Sequence, residues 1–177
     1  MYKNWRDLIK PKKLQVEAES LTTTYGKFYA EPFERGFGTT LGNALRRVLL
    51  SSLQGGAIVS VRIKGVLHEF SAIPGVKEDV TDIILNLKGV RLKMHGFESR
   101  SIRIVHKGEG IVKAGDIITD PNVEILNPDH HIASCSKDAN LEMEMVVKMG
   151  KGYVPADRNR DEKAPVGTIP IDAIFSH

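Results

Sequence analysis

The chain has 177 residues, of which 41% are hydrophobic and 27% are charged, a composition that is ordinary for a globular protein with a sizeable core. Its formal net charge of +3 is too small to indicate nucleic-acid binding by itself. The single cysteine, Cys135, excludes an internal disulfide, and no apolar run approaches the roughly 18 residues of a membrane span. Because residues 1–13 also lack the apolar centre of a signal peptide, we expect a cytoplasmic protein with no membrane contact.

The N-terminal third predicts two short strands and then an amphipathic helix. The strands fall at 13–20 and 27–31, on either side of a polar turn. The helix lies in the second half of the segment 31–52, with Thr39 or Thr40 as its N-cap. Its apolar stripe contains five residues: Phe37, Leu41, Ala44, Leu45 and Val48. Leu50 falls on the opposite side, between Arg46 and Arg47, and this surplus of apolar surface indicates a partner.

A strand and a second helix follow a break at Gln54-Gly55-Gly56. In the strand 58–63, the residues Val59, Val61 and Ile63 share one face and polar residues occupy the other, which predicts a half-buried strand. The second helix covers about 76–88, and Gly89 ends it. Its stripe consists of Val76, Val80, Ile83, Ile84 and Leu87.

The remainder of the chain predicts a β-rich region. Short strand candidates lie at 91–95, 101–105, 123–126, 132–135 and 140–148. The charged segment 150–168 predicts an exposed loop, and 169–175 returns to strand character. The overall prediction is an α+β fold.

No residues in a pattern typical of catalysis, metal binding or cofactor binding stand out. Gly36, Gly38 and Gly42 precede the first helix, but neither common phosphate-binding spacing is present. Three residues resemble metal ligands by type but match no paired-ligand spacing: His130, His131 and Cys135. Two adjacent carboxylate pairs, Glu78 with Asp79 and Asp161 with Glu162, are more typical of a helix surface and a solvated loop. We therefore predict no cofactor, no metal and no catalytic residue.

The outward faces of the two helices are more informative. Leu50 lies beside Arg47, and Leu85 lies opposite the second helix's stripe with Lys88 one turn on. An isolated exposed leucine needs no explanation, but arginine next to an apolar residue is typical of interface anchors. Two such sites favour a binding protein. The stripe of the first helix could pack on the chain's own sheet or on a second copy across a two-fold axis.

Three long segments of the chain are unrelated to generic motifs: ERGFGTTLGNALRRVLLSS, GVLHEFSAIPGVKEDVTDIILNLKGV and GKGYVPA. They closely resemble the N-terminal region of the bacterial RNA polymerase alpha subunit, and the resemblance extends over nearly the whole chain. It implies a non-catalytic assembly subunit that dimerises and scaffolds the beta and beta prime subunits, with omega and sigma joining the holoenzyme. The resemblance also implies a dimerisation domain at 1–54 and 169–177, and an inserted β-rich domain at 55–168.

Individual site residues are implied by the same resemblance. The implied dimer interface contains Phe37, Leu41, Leu45 and Val48. Arg47 and Leu50 match positions that bind beta, and Lys88 and Ile171 match positions that bind beta prime. Promoter DNA would be reached only through the complex or through a C-terminal domain.

The chain departs from the family pattern in two places. It ends at His177, so we expect a truncated chain without the second dimerisation helix, with weak or aberrant dimerisation and exposed apolar surface. The loop 157–163 mixes acidic and basic residues, and we therefore assign it no activator contact. Two competing interpretations are a small nucleotide-binding enzyme built on the glycine-rich helix entry and an independent nucleic-acid-binding module.

Overall fold

The structure is a computed structural model that describes residues 7–175, within which twelve strands, three α-helices and two short 3-10 helices occur. The α-helices are α1 (Phe37–Ser52), α2 (Val80–Lys88) and α3 (Ala156–Asn159), and the 3-10 helices are Ala18–Ser20 and Ala114–Asp116. The strands are β1 (Gln15–Val16), β2 (Phe28–Tyr29), β3 (Gln54–Ile63), β4 (Leu92–Met94), β5 (Arg100–Lys107), β6 (Gly110–Lys113), β7 (Val123–Ile125), β8 (His131–Cys135), β9 (Asn140–Lys151), β10 (Tyr153–Val154), β11 (Thr168–Pro170) and β12 (Ala173–Ile174). The predicted α+β class is confirmed.

The chain divides into two compact units, and the boundary between Val48 and Leu49 falls inside α1. In the first unit, β1 and β2 form an antiparallel pair in which Gln15 faces Tyr29. The first of these strands is shorter than predicted, because the 3-10 helix Ala18–Ser20 follows it directly. The second unit contains the main sheet.

Six antiparallel strands form this main sheet, in the order β5-β9-β3-β4-β7, with β11 also paired to β3. β9 is the longest strand and pairs with β3 on one edge and β5 on the other. The main core lies between this sheet, α2 and the β6–β8 pair. Its largest fully buried side chains include Ile63, Ile83, Leu87, Ile102, Ile104, Ile132, Leu141 and Met145.

A β-bulge changes which residues of β3 share a face. The pairing register of β3 with β9 shifts between Ile58 and Ser60. Ile58, Val61 and Ile63 therefore join the main core, while Val59 packs in a separate small cluster with Ala57, Ala173 and Phe175. The prediction that Val59 shares a face with Val61 and Ile63 is therefore wrong. The half-buried pattern holds from Val61 to Lys64, where buried and exposed residues alternate, but not at 57–60, which are all buried. The predicted break at 54–56 is also wrong, since these residues begin β3.

Both helix starts differ from the prediction. α2 begins at Val80 rather than Val76, because the Asp79 carboxylate accepts a hydrogen bond from the Asp82 amide at 2.7 Å and caps the helix. α1 begins at Phe37, and Thr40 lies inside its first turn with its hydroxyl donating to the Gly36 carbonyl at 3.3 Å. Thr39 and Thr40 are therefore not N-caps. Gly89 ends α2 as predicted.

The segment predicted as an exposed loop contains regular structure in its first half. β9 continues to Lys151, a turn at Gly152 leads into β10, and α3 follows. The final strand candidate is two strands with different partners, since β11 pairs with β3 and β12 pairs with β10. β6 and β10 had no strand prediction at all.

Candidate interaction surfaces

All 16 residues of α1 are exposed. The helix carries no buried residue, and the four residues assigned to dimerisation are 37% (Phe37), 42% (Leu41), 60% (Leu45) and 53% (Val48) exposed. Their spacing of three and four residues places them on one stripe, as expected from the sequence. The structure therefore brings these four residues together on a single uncovered helix surface.

The side of α1 that carries Arg47 and Leu50 is equally open. Leu50 is 50% exposed, and Arg47 is also exposed. Two further apolar residues that the sequence analysis did not select, Leu49 and Leu53, are 54% and 50% exposed. Their signal was present in the run VLLSSL, where apolar residues exceed what one helical stripe holds.

A second candidate surface lies where α2 ends. The Lys88 ammonium is 3.5 Å from the Asp172 carboxylate, and both side chains are partly exposed. The other oxygen of Asp172 accepts a hydrogen bond from the Ala156 amide at 2.8 Å. Asp172 therefore joins the C-terminal end of α2 to the start of α3 and to the junction between β11 and β12.

Ile171 lies beside this carboxylate but faces the core. It is 1% exposed, its amide donates to the Val59 carbonyl at 2.8 Å, and its carbonyl accepts from the Asn159 side chain at 2.8 Å. The structure thus brings Lys88 and the backbone of Ile171 into one neighbourhood. The Ile171 side chain contributes core packing in this chain.

Asp172 and Tyr153 belong to this surface, although the sequence analysis did not select them. A hydrogen bond from the Ala156 amide lowers the pKa of Asp172, and Lys88 and Tyr153 lower it further against the opposing effect of burial. Burial and the nearby Asp172 carboxylate raise the pKa of Tyr153. The only sequence signal was an acidic residue that interrupts the apolar run IPIDAIF.

Glu78 is the centre of a polar cluster outside these surfaces. It accepts hydrogen bonds from the Ser134 amide at 2.7 Å, the Ser134 hydroxyl at 2.9 Å and His131 Nε2 at 2.9 Å. Burial raises the pKa of Glu78, but these hydrogen bonds outweigh it and hold the pKa at about 2. The carboxylate is therefore ionised at neutral pH and ties the segment before α2 to β8.

The residues considered as metal ligands point to different partners. His131 contacts Glu78, while His130 Nε2 hydrogen-bonds the Asn86 carbonyl at 2.8 Å. Cys135 is buried, and this burial, together with the Glu78 charge, raises the pKa of its thiol. Within residues 7–175, no group of three or more His, Cys, Asp or Glu side chains is arranged to hold a metal ion.

The described helices include none that is long and apolar enough to cross a membrane.

Comparison with known proteins identifies the family. Residues 61–176 match the family described as the RNA polymerase Rpb3/RpoA insert domain.

Curated relatives are similar along almost the whole chain. The DNA-directed RNA polymerase subunit alpha of Geobacter metallireducens is 86% identical over 176 residues, which cover 99% of this chain and 52% of the relative. The subunit of the same name from Pelobacter propionicus is 77% identical over 99% of this chain and 52% of the relative, and that from Syntrophus aciditrophicus is 60% identical over 99% and 51%. The chain spans about half the length of the curated relatives it matches. With its insert-domain match and these relatives, the chain belongs to the bacterial RNA polymerase alpha-subunit family.

Proposed function

We propose that the chain acts as a non-catalytic assembly subunit of DNA-directed RNA polymerase, which dimerises and scaffolds the beta and beta prime subunits. The polymerase is a nucleotidyltransferase that transcribes DNA into RNA, and this chain would contribute binding surfaces rather than catalytic groups. The single observation that carries the proposal is α1, an amphipathic helix of 16 residues with none of them buried. The relatives' shared name supports the same role.

Leaving α1 uncovered costs stability. An isolated helix of this length is marginally stable in water, and most helical stability in proteins comes from packing an apolar face. The stripe of Phe37, Leu41, Leu45 and Val48 is suited to packing against the same stripe of a second copy, since a two-fold axis pairs identical patches. Burying such side chains gives about 1.5–3 kcal/mol each.

The opposite side of α1 is the proposed beta-binding surface. Leu50 offers an apolar side chain, and the Arg47 guanidinium offers a planar set of donors for carboxylates or carbonyls of the partner. A leucine beside an arginine is a typical interface anchor, because the arginine stem packs while its head forms hydrogen bonds. One helix would then serve two partners on two sides.

The proposed beta-prime surface is centred on Lys88. Its ammonium is held by Asp172 at 3.5 Å but stays partly exposed, so it is oriented and remains accessible to an acidic partner. Ile171 would support this surface indirectly, since its buried side chain fixes the backbone that carries Asp172. The hydrogen bond that the Ala156 amide donates to Asp172 restrains the same carboxylate further.

The domain division and the location of the protein belong to the same proposal. We infer a dimerisation domain at 1–54 and 169–177 with residues 55–168 inserted, and cytoplasmic assembly with omega and sigma joining later. Promoter DNA would be contacted through the complex. The homologous match at 61–176 supports an insert-domain role for most of this range.

The test is capture of beta by the tagged chain when both are co-expressed with beta prime. Arg47→Ala should weaken capture of beta by about tenfold or more, because removing an interface anchor costs at least about 1–2 kcal/mol. Arg91→Ala is the matched control, since Arg91 is also exposed but lies just before β4. Circular dichroism should show the same fold for both variants.

Unchanged co-purification of beta with the Arg47→Ala variant would contradict the assignment of this surface. Loss of capture in both arginine variants would show that charge in general, rather than this side of α1, controls binding. Sedimentation of the unmodified chain tests the dimerisation step separately from the capture step.

A further inference from the structure

A large open cleft lies on the main sheet, and its lining includes neither Lys88 nor any residue of α1. Its volume is about 1070 Å³, and its floor is formed by neighbouring parts of β3, β9 and β5. One wall is the turn that contains Leu67 together with Val166, and the other is the segment from Ile118 to Asp120. These walls belong to none of the surfaces described above.

The floor is an organised row of charges. Arg62, Glu144 and Arg103 lie directly opposite one another on the three neighbouring strands, so their side chains share one face of the sheet. Glu144 forms an ion pair with Arg62. In the next row, the Lys64 ammonium pairs with Glu142 at 2.9 Å.

Arg103 carries the positive charge that this row leaves over. In the part of the chain that the structure describes, no carboxylate lies within ion-pair distance of its guanidinium. Asp120, the remaining acid of the cleft, accepts two hydrogen bonds from Asn122 and interacts electrostatically with Arg100 instead. The Arg103 guanidinium therefore has no ion-pair partner among the described residues.

Both sides of the cleft carry exposed apolar side chains and are held in place by backbone contacts. Leu67 is 73% exposed and Val166 is 89% exposed on one side, while Val105 and Ile118 are 52% and 48% exposed on the other. The backbone of Ile118 is bound to that of Arg103 by two hydrogen bonds, of 3.1 Å and 2.8 Å. Across the cleft, a Cβ added at Gly167 would lie 3.0 Å from the Val66 carbonyl oxygen, so the two turns of this wall are in close contact.

We propose that this cleft binds a segment of another protein in which one acidic side chain is flanked by large apolar ones. The carboxylate would pair with Arg103, and the apolar side chains would cover Leu67 and Val166 on one wall and Val105 and Ile118 on the other. Scattered single apolar residues are normal on a surface, but four around one arginine that forms no ion pair in the described part of the chain make a combined site. The volume lies at the upper limit of pockets that hold small ligands, which favours a length of chain as the occupant.

The test is fluorescence anisotropy of the full chain with an end-blocked, labelled peptide that has a central aspartate between leucines. Arg103→Gln should weaken binding about tenfold, as expected for loss of a charge-assisted interaction, and replacing the aspartate by asparagine should do the same. Lys93→Gln is the control, since it removes one exposed positive charge from β4 outside the cleft. Val166→Asp, in an exposed turn, should abolish binding through repulsion and loss of apolar contact.

A charge exchange separates direct pairing from a structural effect. Arg103→Glu should bind the lysine version of the peptide more tightly than the aspartate version, which a misfolded variant would not do. Four results would overturn the proposal: no measurable binding to the unmodified chain, equal binding of the asparagine peptide, unchanged binding by Arg103→Gln, or loss of binding in Arg47→Gln rather than Arg103→Gln. The last result would place the peptide on α1.

Discussion

α1 and α2 carry apolar stripes of the same kind, but only α2 is covered. α2 buries Val80, Ile83 and Leu87 in the main core, whereas α1 buries no residue. The difference does not come from the spacing of apolar residues, which is helical in both. It comes from the neighbours: α2 contacts β3 and β8 and is fixed at its start by Asp79.

Amphipathicity therefore specifies a helix without specifying what covers it. For α2 the cover is the chain's own sheet. For α1 the proposed cover is a second copy on one side and a polymerase subunit on the other. Substitutions on the two helices should therefore divide cleanly between effects on folding and effects on assembly.

The largest expected effect is on the buried helix. Ile83→Ala should lower the free energy of unfolding by about 3 kcal/mol, because Ile83 is fully buried and truncation leaves a cavity. Leu45→Ala on α1 should change it by less than about 0.5 kcal/mol, because Leu45 is 60% exposed. Urea unfolding measures both. If both variants lose the same free energy of unfolding, the contrast between the two helices does not hold, because the α1 stripe must then be covered already in the free chain.

The next effect tests how α2 is held to β8. Glu78→Gln should cost about 2 kcal/mol of unfolding free energy, since it replaces charge-assisted hydrogen bonds from Ser134 and His131 by weaker ones. Glu109→Gln, an exposed glutamate on the turn before β6, should cost almost nothing. If Glu78→Gln lowers the free energy of unfolding as little as Glu109→Gln does, the hydrogen bonds of Glu78 to β8 do not stabilise the fold.

The stabilisation by Glu78 should also depend on pH. Its pKa is lowered from 4.5 to about 2, so the unfolded chain binds this proton more tightly than the folded chain does. The contribution is fully present above about pH 4.5 and is lost as the pH falls towards 2. The difference in unfolding free energy between the unmodified chain and Glu78→Gln should therefore shrink between pH 5 and about pH 3. A difference that stays constant across this range would show that the carboxylate is not the stabilising group.

The smallest effect on stability should come from Lys88→Ala. Lys88 and Asp172 are 27% and 37% exposed, and a partly exposed pair at 3.5 Å contributes no more than about 0.5 kcal/mol. The same substitution should clearly weaken co-purification of beta prime, whereas Lys77→Ala, which changes an exposed residue before α2, should not. If Lys88→Ala is stable and captures beta prime as well as Lys77→Ala does, Lys88 is not part of the proposed surface.

Several features could be predicted because their signals are local. The α+β class, the two helices and most strands of the β-rich region follow from periodicity and turn residues, and the family resemblance follows from long ordered segments such as ERGFGTTLGNALRRVLLSS. The outward position of Leu50 and Leu85 also follows from helical spacing, and these residues are 50% and 58% exposed. Helix starts were less predictable, because residues that suit an N-cap by type, such as Thr39 and Thr40, lie inside α1, whereas Asp79 does cap α2.

The sequence by itself determined the amphipathic character of α1 and α2, since this depends only on the spacing of side chains along a helix. Only the tertiary structure decided which stripe is covered, because burial depends on strands far away in the chain. The bulge that separates Val59 from Val61 arises from pairing with β9. The contact between Lys88 and Asp172 likewise depends on which elements lie side by side. The same holds for Arg103, which lies opposite Glu144 only because β5 pairs with β9, and no local pattern specifies that pairing.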